Sequence, residues 1–172
     1  MFFLRKLLAC RERPAGYLIG FFLLFMVLQY GFQLSRGTVV ERLIIDVVTV
    51  KVSAMLINKV SPGERVVAIG EKLVSPQTRL SILNGCEGVE SILLVIAAIM
   101  ALPKKVKYKM QAIVLGIVVI YWLNQIRIVM LYYSLRYNHI FFDTLHGFVA
   151  PSFIVMIICI LFVLYLKVAM PR

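Results

Sequence analysis

Charge is what this chain has least of. Only 16% of its 172 residues are charged against 62% hydrophobic, and the mean hydropathy is +0.93. A soluble domain carries roughly 25% charged residues, so so apolar a chain points to an integral membrane protein. Acidic residues are scarcest of all, eight against 19 basic, for a formal net charge of +11. On a soluble protein that imbalance would suggest nucleic acid. Here the basic residues gather at the ends of apolar runs, as Arg5, Lys6, Arg11 and Arg13, and as Lys104, Lys105, Lys107 and Lys109. That is the placement of topology signals facing anionic lipid, so membrane lipid is an expected partner and nucleic acid is not.

Cysteine is also sparse. Cys10, Cys86 and Cys159 are far apart in sequence, and no CxxC occurs, which excludes thiol-oxidoreductase equipment. Cys86 and His146 alone are too few ligands for a metal unless Glu90 and His139 join them, and no metal or other cofactor is expected. Repeats and low-complexity tracts are absent. The basic N-terminus ahead of an apolar run resembles a signal peptide, but Tyr17–Leu34 has no small-x-small cleavage site before Arg36. A retained span is expected there.

The apolar runs predict an all-α polytopic protein, one integral membrane domain over 1–172. Four spans are expected at about 17–34, 86–102, 110–135 and 148–168, with an extracytoplasmic segment at about 36–85. Within it, Val40, Leu43, Ile44, Val47, Val48, Met55 and Leu56 recur at helical spacing, with Glu41, Arg42, Asp46, Thr49 and Ser53 largely opposite. Charges in so short a run predict an interfacial amphipathic helix over Val39–Ile57 rather than a fifth span. Ser61-Pro62-Gly63 and Ser75-Pro76 are turn signals around two strand-like runs, RVVAIGEKLV and TRLSIL, which predict a small β-hairpin. Four spans put both termini and the lysine loop Pro103–Lys109 on one side, cytoplasmic by the positive-inside rule.

With that topology Cys86, Arg127 and His146 fall at the same outer end of three spans. Cys86 stands in NGCEG, where Gly85 and Gly88 permit close backbone approach at a helix start. A helix N-terminus and a nearby cation should lower the thiol below its free value of about 8.5. Arg127 is about 17 residues into the third span, roughly 25 Å from its inner end, with Asn124 one turn earlier suggesting a lined polar pocket. His146 is preferred to His139 because it sits where the fourth span begins, and Asp143 could orient its ring if the helix starts early. Glu87 and Glu90 complete the polar set. By depth, Arg127 is the natural partner of Glu90, and an ion pair bracing two helices is the plain alternative to catalysis.

Cys86-Glu87-Gly88 opening one span, Asn124 to Arg127 late in the next and His146 at the start of the last resemble the exosortase/archaeosortase family, over roughly Leu80 to Leu166. That resemblance implies a membrane-embedded cysteine protease or transpeptidase of the cytoplasmic membrane. Its partners would be exported proteins bearing a C-terminal motif, a hydrophobic helix and a basic cluster. Cys86 would be the nucleophile, His146 the general base and acid, and Arg127 the oxyanion stabiliser. Glutamate follows the cysteine where many members have serine, and the chain is short for the family. The rival is a membrane assembly subunit or small carrier whose Arg, Glu and His only brace helices.

Overall fold

The computed structural model describes residues 14–82, 85–103 and 105–169. Cys10, the cluster Arg5, Lys6, Arg11 and Arg13, Lys104 and the end of the basic tail, on which part of the topology reading rests, lie outside the described residues.

Helix α1 is Pro14–Leu34. Helix α2 is continuous through Val39–Arg42, a π-helical stretch Leu43–Lys51, and Val52–Val60. A 3-10 turn at Pro62–Glu64 leads to strands β1 (Val67–Ile69), β2 (Lys72–Val74) and β3 (Arg79–Ser81). Helix α3 is Val89–Ala101 and α4 is Val106–Tyr137. Helix α5 comprises His139–Thr144, a π-helical turn Leu145–Val149, and Ala150–Ala169.

Three helices are long and apolar enough to cross a membrane: Ala15–Leu34, Val106–Tyr137 and His139–Lys167. Where a fourth span is expected at 86–102, the structure has a shorter apolar helix, α3. It has only 13 residues, about 20 Å of rise, because Gly85 and Gly88 hold positive φ angles that keep residues 85–88 out of the helix, and Pro103 follows its end. At the other end of α4, the segment expected to be a loop before His146 is helical from His139. Asn138 caps it, its side-chain oxygen accepting from the Phe141 N–H at 3.1 Å.

The expected hairpin is a three-stranded antiparallel sheet in the order β1-β2-β3. The run RVVAIGEKLV supplies a whole hairpin rather than one strand, turning at Gly70, and TRLSIL adds the third strand. Ala68, Leu73 and Leu80 are cross-strand neighbours, and this one row faces the core beside Ile57, Val66 and Tyr132.

Helix α2 exists where amphipathicity predicts it, but its protein-facing side is not the apolar stripe. Ile45, Thr49, Val50, Ser53, Ala54 and Ile57 are buried, whereas Val40, Leu43, Val47, Val48 and Met55 are exposed. Thr49 Oγ1 donates to the Ile44 carbonyl five residues back, and the Val48 carbonyl accepts from Tyr121 Oη at 2.9 Å. Ser53 Oγ donates to buried Gln125 Oε1 at 2.7 Å, which seats α2 on α4 through polar contacts. The apolar stripe is left free of protein, which is the face an interfacial helix would turn to lipid.

Two apolar cores result. One joins α2, the sheet, the C-terminal turns of α4 and the start of α5, through Ile57, Leu73, Ile128 and Tyr132. The other joins α3, α4 and α5 through Val95, Ile99, Ile113, Ile120, Ile154 and Ile158. The sheet end is clamped by Glu64, which is 2.8 Å from Arg136 Nε and accepts from Tyr132 Oη at 2.8 Å. Ser75 Oγ lies 2.9 Å from the same hydroxyl, and Tyr133 Oη donates to Ser61 Oγ at 2.7 Å. Tyr132 is fully buried, so Tyr132→Phe should leave Glu64 short of a donor and cost about 1–3 kcal/mol, read as a lowered thermal midpoint in detergent. An unchanged midpoint would show that the clamp contributes nothing.

Candidate active site

The site lies where the two cores meet. Cys86 packs against the sheet-side core from the segment that precedes α3, and Asn124 and Gln125 on α4 are buried at the same level. Gly88 is the N-cap of α3 with φ of 80°, a conformation that favours glycine. A Cβ on Gly88 would fall 2.8 Å from Asn124 Cγ, so the absence of a side chain lets the loop close onto α4. Asn124 Nδ2 then donates to the Cys86 carbonyl at 3.0 Å. The asparagine fixes the backbone of the cysteine instead of lining an open pocket.

Arg127 follows Asn124 by one turn less a residue, and its Nη2 stands 3.7 Å from Cys86 Sγ. His146 lies within electrostatic reach of Arg127, so the guanidinium is the group common to thiol and imidazole. Among the described residues no hydrogen bond joins Cys86 to His146. The π-helical turn at Leu145–Val149 carries His146, whose ring stacks on Phe142 with centroids 5.6 Å apart. Asp143 interacts with it electrostatically, but Nδ1 is buried without a hydrogen-bond partner. Stacking, not the Asp143 carboxylate, orients the ring. His139 is exposed at the first position of α5.

The expected Glu90–Arg127 pair does not form. Glu90 accepts from Gln29 Nε2 at 3.1 Å and lies 3.8 Å from Arg36, tying α3 to α1. Helix α1 ends level with Glu90 and outcompetes α4 for it. Arg127 has no carboxylate partner among the described residues. Glu87 Oε2, Asn124 Oδ1, Arg127 Nε and His146 Nδ1 are all buried without a hydrogen-bond partner. Folded proteins satisfy nearly all such atoms, so these four are open to a further partner.

The thiol is not acidified. Burial pushes Cys86 above its ordinary value, the Arg127 guanidinium pulls it back by less, and Glu87 raises it again. The expectation of a low value fails because Cys86 precedes the N-cap instead of occupying the first turn of α3, while burial acts in full. With Cys10 and Cys159 replaced by serine, the alkylation rate of Cys86 should keep climbing as pH passes 9.0. Glu87→Gln should move the inflection to lower pH. A plateau already reached at neutral pH would contradict this electrostatic balance.

Of the residues the structure gathers around Cys86, sequence reasoning named Gly88, Asn124, Arg127 and His146. It missed Ser53, Gln125, Glu64, Tyr132 and Arg136, which lock α2 and the sheet onto α4. Gln125, Tyr132 and Arg136 recur at intervals of seven and four residues, a polar stripe on one helical face that was the available signal. No protein-family model, curated protein or solved structure matches this chain.

Proposed function

We propose that this protein is a membrane-embedded cysteine endopeptidase or transpeptidase resembling exosortases, cleaving C-terminal sorting signals of exported proteins. The observation that carries the reading is the Arg127 guanidinium 3.7 Å from the Cys86 thiol, with no carboxylate to neutralise it among the described residues. In this reading α3 is a short fourth crossing, both termini are cytoplasmic, and the site faces outward from the cytoplasmic membrane.

Because burial pushes the thiol above its ordinary value, attack needs a base. His146 takes the Sγ proton as sulfur bonds to the substrate carbonyl carbon, and Arg127 stabilises the oxyanion. His146 then returns the proton to the leaving amine as the C–N bond breaks. Water or an amine releases the thioester and regenerates the thiol. The brace alternative keeps Glu90, which ties α3 to α1 through Gln29 and Arg36, but loses Arg127 as its partner.

The test is co-expression with a surface protein carrying a C-terminal motif, a hydrophobic helix and a basic tail. Wild type should yield the shortened product, and Cys86→Ala none. Processing by Cys86→Ala at the wild-type rate would remove the thiol from the chemistry.

A further inference from the structure

The sheet has two edges, and only one of them is sealed. Between β2 and β3 the Ser75 N–H donates to the Thr78 carbonyl and the Ile82 N–H to the Glu71 carbonyl, both at 2.9 Å. Antiparallel ladders alternate, so Leu80 and Ile82 are the positions of this strand that bond toward β2. Arg79 and Ser81 then turn their N–H and C=O groups away from β2. Among the described residues those groups have no hydrogen-bond partner, and both residues are exposed. The β1 edge is different. The Asn58 side chain on α2 accepts from the Val66 N–H and donates to the Val66 carbonyl, both at 2.8 Å, and the π-helical stretch of α2 lies beside β1.

A row of unpaired backbone groups is a template for one more strand, and folded proteins ordinarily cover such an edge. This edge also leads to the thiol. Leu80 and Ile82 belong to the core against which Cys86 packs. Five positions along the chain separate Ser81 from Cys86, a reach of at most about 18 Å. An extended peptide lying on β3 covers the same distance in about five residues.

We infer that the free edge of β3 binds the extended segment of the substrate that precedes its membrane helix, as a fourth strand of the sheet. The inference rests on the peptidase reading above. In that topology β3 leads into α3 and the substrate segment leads into its own helix from the same side, so the added strand is parallel to β3. The main chain of Arg79 and Ser81 supplies the affinity, so the segment is selected for being extended and keeping its N–H groups more than for any one side chain.

Ser81→Pro removes one outward N–H and no bond of the existing ladder, a change that edge strands accept. With the sorting-signal substrate it should raise KM about tenfold over Ser81→Ala, which keeps the N–H, as expected for one backbone hydrogen bond. A second measurement needs no proline. Cys86→Ala protein with photoreactive benzoylphenylalanine replacing Arg79 should form an adduct with the residues just before the substrate's helix. The same group replacing Val67, exposed on the β1 side, should not. Equal KM in the two Ser81 variants, equal labelling from the two edges, or adducts only with a second copy of this chain overturns the docking edge. Processing by wild type without an Arg79-position adduct sinks the edge and keeps the peptidase. An adduct there without any processing by wild type does the reverse.

Discussion

Arg127→Gln should slow processing of a sorting-signal substrate by about 100- to 1,000-fold, the usual loss when one oxyanion donor is removed, while leaving the folded protein at least as stable. The two halves of that expectation come from the same geometry. Arg127 makes no ion pair among the described residues, and its Nε is buried without a partner, so the charge is held at a cost and not as a brace. Removing it relieves that cost. The thiol loses the one neighbour that lowers its pKa, so alkylation of Cys86 at pH 8 should slow as well. Arg127→Lys keeps a point charge but not the planar set of donors, and should fall between. Lost stability with unchanged rate would assign Arg127 a structural role. Measured together, rate and thermal midpoint separate the two.

The second large effect should come from a single methyl group. Gly85 and Gly88 flank the cysteine and both have positive φ, 89° and 80°. An alanine at either pays about 1–2 kcal/mol for the left-handed conformation. Only at Gly88 does the new Cβ collide, 2.8 Å from Asn124 Cγ, whereas at Gly85 it meets nothing within 4 Å. Gly88→Ala should therefore push the loop off α4, break the Asn124–Cys86 contact and abolish processing. Gly85→Ala should cost stability alone. Gly88→Ala combined with Asn124→Gly should recover part of the packing but not the hydrogen bond. Equal loss in the two single alanine variants would mean that strain, and not the close approach to Asn124, governs the loop.

The membrane class, three of the helices, the presence of α2 and the grouping of Cys86 with Asn124 and Arg127 were legible in the sequence, because hydropathy and N-x-x-R spacing are local signals. What was not legible depends on partners distant along the chain. Glu90 has a guanidinium available on either side, and the pairing with Arg36 is decided by where α1 ends. Which face of α2 packs on α4 was not read at all, because it is set by Ser53 meeting Gln125 and Tyr121 meeting the Val48 carbonyl, partners distant along the chain. The hairpin was undercounted because strands of three residues leave no alternation long enough to separate one from two. The thiol was placed in the first turn of a helix that starts three residues later, and the sign of its shift changed with that placement.

The 13 residues of α3 rise about 20 Å, against a hydrocarbon layer of about 30 Å. If α3 is the fourth crossing proposed above, hydrophobic mismatch of that size has to be met by thinning the lipid around α3 or by sinking the loop that carries Cys86 below the bilayer surface. Either way the depth of the thiol is set partly by the membrane. In the proposed topology longer acyl chains would submerge it and shorter ones raise it, so bilayer thickness would become a control on the depth at which a substrate meets the thiol.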